Sequence, residues 1–253
     1  MSGWVFDLGN TRLKAAPVDD AGRLGPVLAI THRGTDLGAE IERRLPASIG
    51  TATVASVAGE PLRVALLDAL TRRARRISLA TTTSRWDGLR VAYADPSRLG
   101  VDRFLAMLGA CAAGSGAVLV CGVGTAITID LVDADGRHRG GRIAPSPDLM
   151  REALHDRVPQ LAPVGGTYHA FADDTDDALA SGCQGAAIGL VEQSLASAAR
   201  LLGETPRLVL HGGGAAALAP RLPAGDLHPD LVLEGLARWI RPASAVVPAP
   251  GAA

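Results

Sequence analysis

The stretch VFDLGNTRLKAA, Val5 to Ala16, brings together an acid, a glycine turn, a hydroxyl and the chain's only lysine, against 24 arginines. A hairpin with glycine at its tip can turn several backbone N–H groups toward one point and cradle an anion. Gly9-Asn10 supplies such a tip, of the kind that permits positive φ. Thr11 adds a hydroxyl donor, and Lys14 follows on the second strand with Arg12 on the same face. Asp7, closing the first strand, could hold a hydrated Mg2+ beside phosphates. An ordinary hairpin with a surface lysine fits the same residues, because G-N turns are frequent. The solitary Lys14 tips the balance toward phosphate, since it keeps a compact ammonium where a planar guanidinium would not fit.

A second loop of similar character lies in CGVGTAITID. It is not a dinucleotide fingerprint, because Ile127 stands where the third glycine belongs and no helix follows. No Walker A motif is present either, so phosphates would be held between two hairpins. LGVDRFLAML places Asp102 and Arg103 at the start of an apolar helix. Asp102 there either complements the helix dipole or serves as a carboxylate base beside a guanidinium for an anionic substrate. Thr175 in TDDALASGC is equally an N-cap or a contact residue. LVLHGGGAAAL reads as a buried strand running into a triple-glycine turn, which suits close approach of a flat ligand such as adenine. The six histidines show no zinc-ligand spacing, and there is no G-x-S-x-G elbow.

These residues need strands and helices to position them. Val5 to Leu8 and Arg12 to Val18 read as strands, Leu24 to Thr31 as a third, and Asp36 to Leu45 as a helix. Thr51 to Val57 is a strand and Leu62 to Arg76 a helix, with a strand near Arg76 to Ala80 and a helix over Phe104 to Ala113. A second cycle begins with the strand Ala117 to Thr125, followed by AITIDLVD, RHRGGRIAPS and a helix with Ser146 as N-cap and Pro147 at N1. Gly9 matches Gly124, Thr11 matches Thr125, and the turns DDAGR and DADGR match each other. The agreement predicts an α/β fold built from a duplicated β-β-β-α-β-α unit, the two copies flanking a cleft. The expected domains are 1–114 and 115–241, and the Pro/Ala-rich tail 242–253 is predicted disordered.

Composition bounds the alternatives. Of 253 residues 47% are apolar and only 3% aromatic, so the core is aliphatic. Net charge is −1, and RRARRI is the one basic cluster. It reads as a solvated helix C-terminus rather than a nucleic-acid patch, since no stacking aromatics accompany it. Cys111, Cys121 and Cys183 are widely spaced and read as buried free thiols. Asp7 interrupts the first apolar run, which argues against a signal peptide, and no apolar stretch approaches about 18 residues. A cytoplasmic protein without membrane or nucleic-acid partners is expected.

Taken in order, DLGNTRLK, PSRLGVDR, GTAITIDLV, GGRIAP, TDDALASGC and LHGGG resemble type III pantothenate kinase, a family that includes proteins named Bvg accessory factor. The resemblance runs from residue 5 to about 240. It implies the duplicated ribonuclease-H-like fold of the actin, sugar kinase and heat-shock ATPase superfamily. It implies ATP-dependent phosphorylation of pantothenate, the first step of coenzyme A synthesis, by a homodimer with substrate near the interface. On this resemblance Asp7, Leu8, Gly9, Asn10, Thr11, Arg12, Leu13, Lys14 and Thr125 bind ATP with Mg2+. Tyr93, Gly100, Val101, Asp102, Arg103 and Thr175 bind pantothenate, with Asp102 as proton acceptor. Two positions depart from the family pattern. Gly122 stands where many members carry an Asp that binds a monovalent cation, and Ser146 replaces the last glycine of the GGxIxPG motif. Either potassium dependence is lost or altered, or the site is degraded. A related kinase of another small hydroxylated substrate, and a non-catalytic nucleotide-binding regulator of the same fold, are the competing readings.

Overall fold

The computed structural model describes residues 3–32 and 34–241; the predicted disordered tail lies outside the described residues. Alternating apolar residues build a first sheet from β1 (Gly3–Leu8), β2 (Arg12–Val18), β3 (Leu28–Thr31), β4 (Ile49–Ser56) and β5 (Ala74–Leu79). Its order is β3-β2-β1-β4-β5, with β1 to β3 an antiparallel meander and β4 and β5 parallel to β1. Two helices, α1 (Leu37–Arg44, N-capped by the Asp36 carboxylate) and α2 (Glu60–Thr71), cross over one face. There they cover Phe6, Leu8, Leu13 and Val54. Because strand side chains alternate, Val5 and Asp7 point to the opposite face. Val5 accordingly belongs to a different buried cluster.

A small hairpin of β6 (Arg85–Trp86) and β7 (Leu89–Arg90) then leads to α3 (Val101–Ala113). The second sheet repeats the first. Its strands are β8 (Val118–Val123), β9 (Ala126–Val132), β10 (His138–Pro145), β11 (Arg207–His211) and β12 (Asp226–Leu227), in the order β10-β9-β8-β11-β12. The helices of this half are α4 (Pro147–Arg157), α5 (Thr175–Leu202), α6 (Ala215–Leu218) and α7 (Leu231–Ile240). Ser146 caps α4 with Pro147 in the first turn, as the sequence predicts. α5 packs on the outer face of the second sheet, over Leu119, Ile129 and Leu210. α3 and α7 lie between the sheets, where Phe104, Leu105, Leu231 and Leu236 join Val5 and Ala55 from the first sheet to Val118, Val120 and Val209 from the second. The last helix therefore closes the core of both halves. Gly109 and Gly235 let α3 and α7 cross closely: a Cβ on Gly109 would lie 2.7 Å from Leu231 O, and one on Gly235 would overlap Leu105 O.

Four local expectations need correction. The helix expected to run to Arg76 ends at Thr71, and the basic cluster passes through the α2 C-cap into β5. Arg73 N–H bonds Leu70 O and Arg73 O accepts from Ile49, which stops the helix and starts pairing with β4. An edge strand carrying charge resists pairing with other chains, so the arginines serve there as well as on a helix end. The third strand begins at Leu28 rather than Leu24, because Leu24 makes only an isolated bridge to Val18 before Gly25-Pro26. The β1–β2 tip spans Gly9–Thr11 without positive φ, closed by Gly9 N–H on Arg12 O. The N-cap of α5 is Asp174, whose carboxylate takes the Asp176 and Asp177 N–H groups, and Thr175 is the first helical residue.

Candidate active site

The two hairpin tips meet. Thr11 Oγ1 lies 3.0 Å from Thr125 Oγ1, one hydroxyl from each sheet, with Gly9 and Gly124 beginning the two turns. His32 Nε2–H donates to Gly9 O (3.0 Å) and so braces the first tip from the end of β3. The guanidinium of Arg12 reaches from β2 to the triple-glycine turn, where a Cβ on Gly213 would stand 3.0 Å from Arg12 Nη1. That turn needs glycine at its start: Gly212 has φ +90° and its Cα packs against the Val123 backbone.

Beneath the first tip, Asp7 and Lys14 are paired across β1 and β2. Lys14 Nζ is tied to Pro229 O (2.6 Å) and to Asp230 Oδ1 (2.9 Å), the residues that open α7. The lone lysine thus joins the first hairpin to the last helix, a link that sequence gives no means to foresee. Burial pushes the Asp7 carboxyl up to about 7, the Asp102 charge adds to this, and Lys14 opposes it. The charge of Asp102, on α3, thus acts on Asp7, on β1.

Asp102 sits in the first turn of α3. Its Oδ1 folds back to accept the Arg103 N–H (2.8 Å), leaving Oδ2 free of that bond. Gly100 makes the fold-back possible, since a Cβ there would come within 2.6 Å of Asp102 Oδ1. Burial holds the Asp102 carboxyl above the ordinary carboxylate range, against the pull of the Arg103 N–H and guanidinium.

Arg103 is fixed by Asp130, which is not among the expected site residues, and by Tyr93, which is. Its Nε and Nη2 donate to Asp130 Oδ2 (2.8 Å) and Oδ1 (2.6 Å), and Nη1 reaches Tyr93 Oη at 3.4 Å. Both members of this ion pair are buried, at 6% and 3% exposure. His138 Nδ1 accepts the Ala92 N–H (3.4 Å), so its proton is on Nε2, which donates to Asp130 Oδ1 (3.0 Å). Tyr93 stacks on the His138 ring at 5.9 Å. Burial works to raise Asp130, but the His138 and Arg103 hydrogen bonds prevail and hold it below the usual range. Gly141 of the GGRIAP motif leaves room for this pair, because a Cβ would overlap Asp130 Oδ1 and Arg103 Nη2. A signal for Asp130 does exist in the sequence: an acid between Ile129 and Leu131 in an apolar strand must find a partner.

The structure brings together Asp7, Thr11, Arg12, Lys14 and Thr125 on one side and Tyr93, Gly100, Asp102 and Arg103 on the other. Leu8 and Leu13 are core residues under the first hairpin, and Val101 packs at the edge of the central cluster. Thr175 stands apart: it lines a shallow hollow of about 430 Å³ with Leu161 and Leu179, and no hydrogen bond links it to Asp102 or Arg103. Gly122 carries no side chain into the cleft; His211 and Thr128 take up the space. Among the described residues no three His, Cys, Asp or Glu side chains gather as a metal cluster, and no helix is long and apolar enough to cross a membrane.

A family profile described as type III pantothenate kinase matches residues 4–197. A type III pantothenate kinase of Stenotrophomonas maltophilia strain K279a is 54% identical over 94% of this chain and 97% of its own length. One from Xanthomonas campestris pv. campestris strain B100 is 53% identical over the same shares. Among solved structures, a Campylobacter jejuni protein of the Baf family aligns with TM-score 0.60 at 20% identity, covering 94% of this chain and 96% of that one. The activator of 2-hydroxyisocaproyl-CoA dehydratase from Clostridium difficile, solved with ADPNP, aligns with TM-score 0.50 at 11% identity over 96% and 94%. At such identities the structural likenesses speak to the fold alone.

Proposed function

The chain belongs to the type III pantothenate kinase family, and on that premise we propose how its cleft phosphorylates pantothenate. The reaction is ATP-dependent transfer of a phosphoryl group to the primary hydroxyl of pantothenate, giving 4′-phosphopantothenate at the start of coenzyme A synthesis. The competing readings, a non-catalytic regulator and a kinase of another hydroxylated substrate, give way to relatives that are 51% to 54% identical over nearly their whole length.

The observation that carries the mechanism is Asp102: a half-sequestered carboxylate with a raised pKa, whose charge acts on Asp7 of the first hairpin and which adjoins a locked guanidinium. It orients the acceptor hydroxyl and takes its proton as the phosphoryl group moves across, while the freed ADP leaves along the nucleotide side. Arg103 offers substrate only its Nη1 edge beside Tyr93 Oη, because Asp130 holds the other two nitrogens. The Asp130–His138 brace thus sets the angle of a rigid donor, and catalysis is mainly placement and charge stabilisation. The backbone and hydroxyls of Gly9 to Thr11 and Thr125 hold the polyphosphate from both walls, with Arg12 beside the Gly213 turn.

Asp7 and Asp102 fit a divalent cation, because their mutual repulsion under partial burial is relieved by positive charge between them. We assign Asp7 as the residue that would hold Mg2+, which would supply positive charge beside the transferring phosphate. Lys14 is assigned to hold the α7 turn against the hairpin and to temper Asp7. The proposed assembly is a cytoplasmic homodimer divided in each chain near Gly114. Exposed Phe171 and Val164, in the segment leading to Thr175, are the surface such a dimer would cover. The interface would then bring Thr175 to substrate.

A coupled ADP-release assay with pantothenate tests the reading. Turnover is expected in wild type, with equal rates in the presence and absence of potassium since Gly122 brings no carboxylate. Asp102→Asn is expected to lose turnover while MgATP still binds; full activity in that variant would remove Asp102 from the role of base.

A further inference from the structure

The two sheets pair in the same register, which places residues of the two walls in correspondence. In the first sheet one row across β3, β2, β1 and β4 reads Ala29, Lys14, Asp7, Ala55. In the second the matching row across β10, β9, β8 and β11 reads Ile143, Thr128, Gly122, His211. Where the first wall has an acid with a lysine beside it, the second has glycine with a threonine on one side and a histidine on the other.

The glycine is not an empty place. A Cβ on Gly122 would lie 2.7 Å from His211 Nε2 and 2.8 Å from Thr128 Oγ1, so both polar atoms converge on the spot from neighbouring strands. Neither makes a side-chain hydrogen bond to another group among the described residues. His211 is pinned from behind, because the turn that follows it packs on β8 through Gly214 N–H to Val123 O (3.0 Å). Thr128 lies two residues before Asp130 on β9 and shares its face, and Gly122 and His211 are register partners in the same row, so the ring stands on the sheet face that carries the Arg103 brace. The Lys14 and Asp130 charges both act on it. Burial and Lys14 depress it to about 4, so the imidazole is uncharged at neutral pH.

We propose that His211, supported by Thr128, is a positioning residue for the nucleotide: its imidazole offers Nε2–H to a phosphate oxygen from the wall opposite Asp7. The inference rests on the reading of the cleft as the ATP site. A neutral donor suits this place. It binds a phosphate oxygen without adding a second fixed charge beside Lys14, and leaves the cation to the Asp7 side. Gly122 is required because any side chain would push the imidazole out of line.

The test is calorimetric titration of a non-hydrolysable ATP analogue with Mg2+, alongside steady-state kinetics and thermal melting. Wild-type binding examines the cleft reading by itself; its absence would overturn that reading and this inference together. With wild type binding, His211→Ala is expected to weaken nucleotide affinity about tenfold or more, the size of a lost hydrogen bond to a charged group. The pantothenate KM is expected to hold. Gly122→Ala is expected to weaken nucleotide affinity as well, by displacing the ring. His211→Gln, whose amide reaches the Nε2 position, is expected to recover most of the loss. Nucleotide affinity in His211→Ala within twofold of wild type would overturn the assignment. So would a loss that appears in the pantothenate KM, or one that Gln does not recover.

Discussion

Replacing Asp130 by Ala isolates the brace behind Arg103. The variant removes both acceptors of a guanidinium that is 6% exposed, and the acceptor of His138 Nε2–H. A buried charge stripped of its partner costs about 3–5 kcal/mol. For a chain of this size about 1 kcal/mol moves the melting temperature by about 2–4 °C, so a fall of about 6–20 °C is expected. Global stability of about 5–15 kcal/mol leaves most of the protein folded at 25 °C. Urea unfolding followed by the fluorescence of Trp4, Trp86 and Trp239 measures the loss. The double variant Arg103→Met/Asp130→Leu removes the charge with its partner and is expected to regain most of the stability. It should still fail to bind pantothenate, because the Nη1 donor is gone. Two results would refute the reasoning: a melting temperature for Asp130→Ala within about 2 °C of wild type, or a double variant no more stable than the single one. The sign with pH follows from the lowered Asp130 carboxyl. Its stabilisation is present above the ordinary carboxylate pKa and is lost only as pH falls through the depressed folded value, so acid erodes it and alkali does not.

Asp7 behaves oppositely. With its folded value near 7, apo-protein stability is expected to fall as pH rises from about 4 to about 7, while MgATP affinity rises about tenfold between pH 6 and 8; Asp7→Asn should flatten both profiles. Lys14 and Asp102 are the charged groups that act on it, and a wild-type profile without slope would contradict the assignment. Lys14→Arg is expected to cut kcat/KM for ATP about tenfold, because a planar fork cannot sit between Pro229 O and Asp230 Oδ1. Its melting temperature should change little, since the guanidinium keeps the charge opposite Asp230 and a partly exposed pair contributes about 0–1 kcal/mol. Gly235→Ala forces α7 off α3 and is expected to cost about 1–3 kcal/mol in urea unfolding. Gly189→Ala, exposed in α5 with open space around it, should stabilise by about 0.5–1 kcal/mol.

The sequence by itself determined the local and the repeated. Apolar alternation and turn residues marked the strands of both meanders, Ser146-Pro147 marked a helix start, and the Gly9/Gly124 and Thr11/Thr125 correspondence announced a duplicated fold with two facing tips. Those signals are legible because they depend on residues a few positions apart. Sequence misjudged the end of α2, since Arg72 to Arg76 suit a helix end and an edge strand alike, and only pairing with β4 chooses between them. The solitary lysine drew attention as a phosphate ligand; its bond to Asp230, 216 positions away, came only with the fold. Asp130 reaches Arg103 across 27 positions, and His211 fills the space over Gly122 from the neighbouring strand. Which charges are paired, which carboxyls are raised and which imidazole stays neutral were decided by the packing of two sheets around α3 and α7. Burial and distance set those energies, and neither exists until the chain has folded.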